Sequence, residues 1–352
     1  VNENGLIEEV ASNVPRLDYS DGGCPSLLLE PTATNPITYS EDFSDASWTK
    51  AGNAVVTPNN AISPDGTLNA STVTGLDGTG TNDLYTQPTF NTSNKTVTYS
   101  VYLKGSGTLR INVSNNIDDN SSKTLTLTNN WEKYFITYSF NATVSTQMVC
   151  NLDDLGATVT TYEVWGAQFE ENSYATSYIK TIGTAQTRSA DTANGAGNAS
   201  TFNDSEGVLM AEISALADTA YMALGSDSNN RVMLGASNGN VRSYNKIGGT
   251  VIDFTSSIIA SNNNKLAIKY KSGNTDFYIN GVKVFESSTV FSASTPFDEI
   301  IFGNLIGGTQ NFYGNTKQIQ YFDSALNDSD LEKLTSWTSF TAMANALNYT
   351  II

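Results

Sequence analysis

The chain of 352 residues contains no histidine. That absence removes Ser-His-Asp and Cys-His nucleophilic mechanisms, imidazole general bases and the commonest zinc ligand sets, leaving carboxylate, Tyr, Lys and Arg chemistry. Cysteine is nearly absent as well. Cys24 and Cys150 stand far apart and outside any metal spacing, so neither a zinc site nor a disulfide framework is indicated, and both are expected to be buried thiols. Positive charge is scarce: 18 Lys and Arg face 35 Asp and Glu, for a formal net charge of −17. Such a field repels nucleic acid, anionic lipid and acidic polysaccharide alike, which makes a neutral partner the expectation. No stretch approaches the roughly 18 consecutive apolar residues of a membrane span, so membrane insertion is not expected.

What the chain does contain is strand-forming. Hydrophobic residues make up 39% and charged residues 15%, with Thr, Ser, Asn and Gly filling much of the remainder. That mix suits short strands joined by polar turns, because β-branched side chains fit a pleated surface and Asn, Asp and Gly tolerate turn dihedrals. At about 150 residues per domain, the length points to two domains.

KTVTYSVYLKG (Lys95 to Gly105) alternates Val97, Tyr99, Val101 and Leu103 against Thr98, Ser100, Tyr102 and Lys104, the period of a half-buried strand. TLRINVSN follows after Gly105-Ser106-Gly107, and the two read as a hairpin. Further strands are expected at LTLTNNWEKYFITYSF, TQMVCNL and TYEVWGAQFEE, without the long apolar helices that a parallel sheet needs. Lys180 to Ser200 is small and polar and marks a boundary. Beyond it the strand pattern resumes, and FYINGVKVF carries Asn280-Gly281, a strong two-residue hairpin turn. Near the end NDSDLEKLTSW offers Asn327, Asp328 or Ser329 as a helix N-cap, and TSFTAMANALNY a short amphipathic helix. The fold class expected is all-β, with two antiparallel β-sandwich (jelly-roll) domains and short C-terminal helices.

NVPRLDYSDGGCPSLLLEPTATN with YSEDFSDASWTK, then WGAQFEENSYATSYIKT followed by TRSAD, resemble a module widespread in tailed-phage virion proteins, which has a carbohydrate-binding-module-like jelly roll. This match runs through residues 1 to 192. DFYINGVKV and GNTKQIQYFDSALNDSDLEKL resemble the concanavalin A-like, laminin G-like sandwich, in which a short acid-capped helix follows the last strand. The expected organisation is a lead segment over 1–24 belonging to a longer chain, a carbohydrate-binding-like jelly roll over 25–185, a linker over 186–200, a concanavalin A/laminin G-like sandwich over 201–337 and a helical tail over 338–352. The resemblance implies a virion-surface, extracellular protein that binds glycans on a bacterial surface beside other virion proteins, as a trimer by analogy with fibres and spikes.

Candidate sites follow from chemistry. Pyranose rings stack their C–H face on aromatic side chains while their hydroxyls need polar partners. Trp48 follows a polar loop and is either a core plug or an exposed platform, whereas Trp131 and Trp165 sit in apolar strands and are expected in the core. Tyr102, Arg110 and Asn112 lie on the polar side of the expected hairpin and form one candidate sugar-facing surface; an ordinary hydrated sheet face is the alternative. In the second sandwich Arg231, Arg242, Tyr244 and Tyr278 form another, with an Arg–Asp276 pair as the alternative. Related jelly rolls share a structural Ca²⁺ between first and last strands, which implies Glu41 and Glu170 as metal ligands, since Ca²⁺ takes hard oxygens. The Asp/Asn-rich loops LDGTGTND, NIDDNSSK, NLDDLG and SDSNNR are further Ca²⁺ candidates, but none has the spaced oxygens and closing Glu of an EF-hand, and ordinary turn chemistry is the alternative.

A polysaccharide-degrading enzyme is the rival reading. Adjacent carboxylates such as Glu41-Asp42 point to opposite faces of a strand and cannot be the acid–base pair of a glycosidase. The paired-Glu strand motif of catalytic concanavalin A-like members is missing: DEIIFGN and SDLEKL are the nearest acidic groups. A purely structural virion spacer is the third reading.

Overall fold

A computed structural model describes residues 1–305, 310–338 and 342. It is almost entirely antiparallel β-structure and divides into two compact units: residues 31–190 with 4–9, and residues 191–352 with 1–3 and 10–30.

The unit built on 31–190 is a sandwich of two five-stranded sheets. One runs in the order Asn120–Leu127, Gly107–Ser114, Val149–Asp153, Leu84–Thr86, Trp48–Lys50; the other runs Glu132–Ser139, Thr96–Gly105, Thr161–Glu170, Leu68–Thr74, Val55–Ile62. Alternation along each strand sends Leu109, Ile111, Val113, Cys150 and Leu152 from the first sheet, and Val97, Tyr99, Val101, Leu103 and Phe169 from the second, into one core. The expected hairpin at Gly105-Ser106-Gly107 does not form. Thr96–Gly105 pairs with Glu132–Ser139 and Thr161–Glu170, while Gly107–Ser114 pairs with Asn120–Leu127 and Val149–Asp153. The chain crosses between sheets there. Gly107 takes φ +119° against Thr158 and Val159, where a Cβ would lie within 2.8 Å of Thr158 Oγ1.

The second unit pairs a seven-stranded sheet with a five-stranded one. The five strands run Thr250–Ile259, Asn240–Ile247, Asn230–Ser237, Ala220–Asp227, Glu299–Ile301. At Asn280-Gly281 both residues have positive φ (51° and 86°) and Ile279 pairs with Val282, the tight turn that the Asn-Gly pair calls for. Asn327 caps the helix Asp328–Thr335, accepting from Asp330 N at 3.0 Å. Leu331 on that helix is buried with Val208, Met210, Ala267 and Tyr278. Apart from residues 338 and 342, the segment 338–352 in which a helix is expected lies outside the described residues.

Two expected boundaries shift. The apolar run after Pro25 belongs to the second unit: Ser26–Leu29 pairs with Gly314–Phe322, Leu27 opposite Thr316. At the other end Gln186–Arg188, expected as linker, pairs with Ala33–Asn35. The jelly roll is therefore inserted into the other unit's chain, which departs at Glu30 and resumes at Asp191. Asp191 N donates to Glu30 O at 2.9 Å, Glu30 N donates to Asp191 Oδ2 at 2.7 Å, and Arg16 forms ion pairs with both carboxylates. Glu30 is 3% exposed, and a carboxylate so buried requires such a partner. Cys150 is buried as expected, but Cys24 is exposed, and neither forms a disulfide.

Candidate functional site

The outer face of the jelly roll's first sheet carries a cross-strand row of polar side chains. Inward Trp48, Leu84, Cys150, Leu152, Ile111 and Val113 fix their neighbours outward. Register then aligns Thr49 with Tyr85, Tyr85 with Asn151, Asn151 with Asn112 and Asn112 with Ser122. One step along, Arg110 faces Asp153 and pairs with it, Nε to Oδ2 at 3.0 Å. A cleft of about 470 Å³, lined by Ser47, Thr49, Thr86, Gln87 and Pro88 among others, adjoins the Thr49 end.

Behind Arg110 lie Asp83, Asp153 and Asp154, whose carboxylate oxygens fall within 4.8 Å of one another. The loops LDGTGTND and NLDDLG are thus brought together. Asp154 is fully buried and accepts from the backbone N–H of Asp77, Gly78, Gly80 and Asn82 and from Asn82 Nδ2, at 2.7 to 3.3 Å. Burial opposes its charge, but the donors of Asn82, Asp77 and Gly80 prevail and hold its pKa at about 2. Asp83 moves the other way: burial and then the neighbouring Asp153 charge raise it, against a hydrogen bond from Asn151. That bond is long, 3.4 Å. Asn151 Oδ1 and Asp83 Oδ1 are themselves buried and have no hydrogen-bond partner, two unsatisfied acceptors under the row.

Of the residues expected at a sugar-facing surface, Arg110 and Asn112 stand in this row. Tyr102 does not: it is on the other sheet, edge-on to Trp165 at 5.5 Å, with Lys133 Nζ 5.7 Å from its ring centre. Trp48 is a core plug, 1% exposed, packed on Phe43 and donating its indole N–H to Tyr39 O at 2.7 Å. Trp165 is buried as expected, but Trp131 is only partly so and donates to Ile62 O.

Glu41 and Glu170 do not fit a metal. Glu41 receives Lys180 Nζ at 2.8 Å and Tyr178 Oη at 3.1 Å. Glu170, fully buried, receives Gln168 Nε2, Thr176 N, Thr176 Oγ1 and Asn172 Nδ2 at 2.7 to 2.9 Å. Donors occupy the directions that a cation would need.

In the second unit Arg231, Arg242 and Tyr244 come together on the outer face of the five-stranded sheet. Both guanidinium carbons lie over the Tyr244 ring, at 5.4 Å and 5.0 Å from its centre. Arg242 forks onto Asp253, Nε at 2.8 Å and Nη2 at 2.5 Å, and donates to Tyr221 Oη at 2.8 Å. The bond to Asp253 raises its pKa, burial opposing and Tyr221 assisting. Lys246 stands opposite Arg231. Tyr278 is not part of this face; it is fully buried on the other sheet, and Asp276 pairs with Lys269 instead of an arginine.

Sequence reasoning missed Tyr85, Asn151, Asp83 and Lys246. Their one available signal was alternation beside strands already assigned.

No family model matches the chain, and no curated protein does. Solved structures share parts of it. The CBM40 module of Ruminococcus gnavus IT-sialidase, bound to α2,3-sialyllactose, is 15% identical, covering 41% of this chain and 94% of its own at a TM-score of 0.35. The CBM22-1 xylan-binding domain of Paenibacillus barcinonensis Xyn10C is 16% identical over 40% of this chain and 94% of its own, TM-score 0.30. The enzymatically active domain of bacteriophage CBA120 tailspike protein 4 is 9% identical over 38% of this chain and 21% of its own, TM-score 0.31. Overlaps at these scores assign no function to this chain.

Proposed function

We propose that the chain is a non-catalytic glycan-binding protein whose primary sugar site is the row Thr49–Tyr85–Asn151–Asn112–Ser122. The observation that carries this reading is the register that sets Thr49, Tyr85, Asn151, Asn112 and Ser122 side by side across five strands on one outer face. Hydroxyl and amide side chains in such a row can bond sugar hydroxyls, and a tyrosine ring offers the apolar surface on which a pyranose C–H face stacks. Five strands at about 4.8 Å spacing give a row about 19 Å long, suited to an extended oligosaccharide. The chain's charge of −17 favours a neutral one here.

The sequence resemblance to tailed-phage virion modules supports a place on the virion surface, with attachment to host or environmental carbohydrate as the role. An open sheet face binds weakly per site, so copies in a trimeric fibre would supply avidity.

One observation favours a hydrolase instead: Asp83, raised in pKa by burial and by the neighbouring Asp153 charge, resembles a general acid. Its neighbours are committed elsewhere, Asp153 to Arg110 and Asp154 to five donors. A glycan array read with and without chelator, alongside an assay for released reducing ends, decides. Binding lost in Asn151→Ala and Asn112→Ala without sugar release supports the proposal; release of reducing ends overturns it. Silence in both assays favours a structural spacer.

A further inference from the structure

We propose that Arg231, Arg242 and Lys246, set around the Tyr244 ring, form a site on the second sandwich for the carboxylate of an acidic sugar. This deepens the glycan-binding reading and rests on it, but assigns this sandwich a ligand class that the jelly-roll face does not favour.

The starting point is an unneutralised charge. Arg231 is 5% exposed. Its guanidinium donates from Nη1 to the neutral carbonyl of Asn304, and its Nε has no partner. The described residues include every Asp and Glu of the chain, and none forms an ion pair with Arg231 or Lys246. A buried charge without a counter-charge is costly. Elsewhere the protein avoids that cost: Lys269, 4% exposed, is paired with Asp276, and Arg16 is paired with Glu30 and Asp191. In a chain with about two acids per base, leaving Arg231 alone points to a counter-charge supplied from outside.

Local geometry suits a carboxylate on a sugar. Arg231, Arg242 and Lys246 contribute three positive charges, against Asp253 and, across Gly225 in the same row, Glu299, a local balance of plus one on a chain of −17. Screening over about 8 Å at physiological salt lets this balance outweigh the distant acids. Arg242, Tyr244 and Lys246 are half-buried, and Arg231 is buried beside them on the adjacent strand, opposite Lys246. Gly225, opposite Arg231, holds space on the neighbouring strand: a Cβ there would lie 2.7 Å from Arg231 Cα. Guanidinium groups match a planar carboxylate, and the Tyr244 ring holds both of them by cation–π contact.

Calorimetry on the full chain tests this, using glucuronate, galacturonate and N-acetylneuraminate oligosaccharides, the same compounds with carboxyls reduced to alcohols, and a sulfated oligosaccharide. At least one carboxylated ligand should bind at least tenfold more tightly than its reduced form, weakening as salt rises. Lys246→Gln, at the solvent-facing rim, should weaken that binding about tenfold, and Arg231→Gln by more; the thermal melt of each variant reports folding. No binding to any carboxylated ligand, equal binding of the reduced form, preference for sulfate, or indifference to Lys246→Gln in a folded protein overturns the proposal. A neutral oligosaccharide measured on the same sample separates the two sites: neutral binding without acid binding sinks this inference alone, and acid binding without neutral binding sinks the jelly-roll reading alone.

Discussion

Replacing Asp154 by Asn keeps the side chain's shape and removes its charge. The carboxylate is held at about 2 against an ordinary 3.8, a difference worth at most about 2.4 kcal/mol. The loop around it is partly open to solvent, and screening brings the expected loss to about 1–2 kcal/mol. For a unit of this size that is a fall of about 3–6 °C in Tm. The sign follows from the depressed pKa. The stabilisation is complete above the unfolded value near 3.8 and disappears as pH falls through about 2, so the gap between native protein and Asp154→Asn should be widest near neutrality and close in acid. Intrinsic fluorescence during urea unfolding reads the right unit, because Trp48, Trp131 and Trp165 lie in the jelly roll and only Trp337 in the other. Because Asp154 fixes the loop leading to Asp83, glycan binding should weaken in parallel. A gap below about 0.5 kcal/mol, or one unchanged between pH 6 and pH 2.5, would refute the reasoning.

Other perturbations separate packing from recognition. Trp48→Ala should cost about 3–5 kcal/mol and lower the jelly-roll Tm, instead of removing sugar binding from an intact fold; calorimetry on the folded fraction distinguishes the two. Asn151→Ala should leave the Tm within about 2 °C while weakening neutral-glycan binding about tenfold, since one hydrogen bond to a ligand is worth about 1 kcal/mol or slightly more. Arg16→Met should destabilise by about 3–5 kcal/mol in chemical denaturation, because Glu30 and Asp191 lose the cation they share. Removing divalent cations with a chelator should leave the Tm unchanged, because donors already fill the oxygens of Glu41 and Glu170, and in the aspartate cluster Asp153 is held by Arg110 and Asp154 by N–H donors.

Local features of the fold were legible in the sequence, and non-local ones were not. Alternation in Lys95–Gly105 located a strand and its faces, because side-chain direction is a property of the strand itself. The partner of that strand is not. Gly-Ser-Gly signals only that the chain bends, and the same three residues serve a sheet crossing as well as a hairpin. Ser26–Leu29 was readable as a strand, but its pairing with Gly314–Phe322 spans most of the chain. The candidate site divides the same way. Arg110 and Asn112 were found by alternation; Tyr85, Asn151 and Asp83 join them only through register between distant strands. Trp48 stayed ambiguous until Phe43 and Tyr39 closed around it. Arg231 was noticed as a rare base, but that no acid reaches it is a fact of three dimensions.

The reciprocal hydrogen bonds between Glu30 and Asp191, locked by Arg16, have a consequence for how such proteins change. All three residues belong to the sandwich, so the doorway through which the jelly roll's chain leaves and returns is closed without help from what hangs beyond it. An inserted domain with adjacent ends can be exchanged at such a doorway with little strain on its host. Selection could thus replace the inserted jelly roll wholesale while the frame persists.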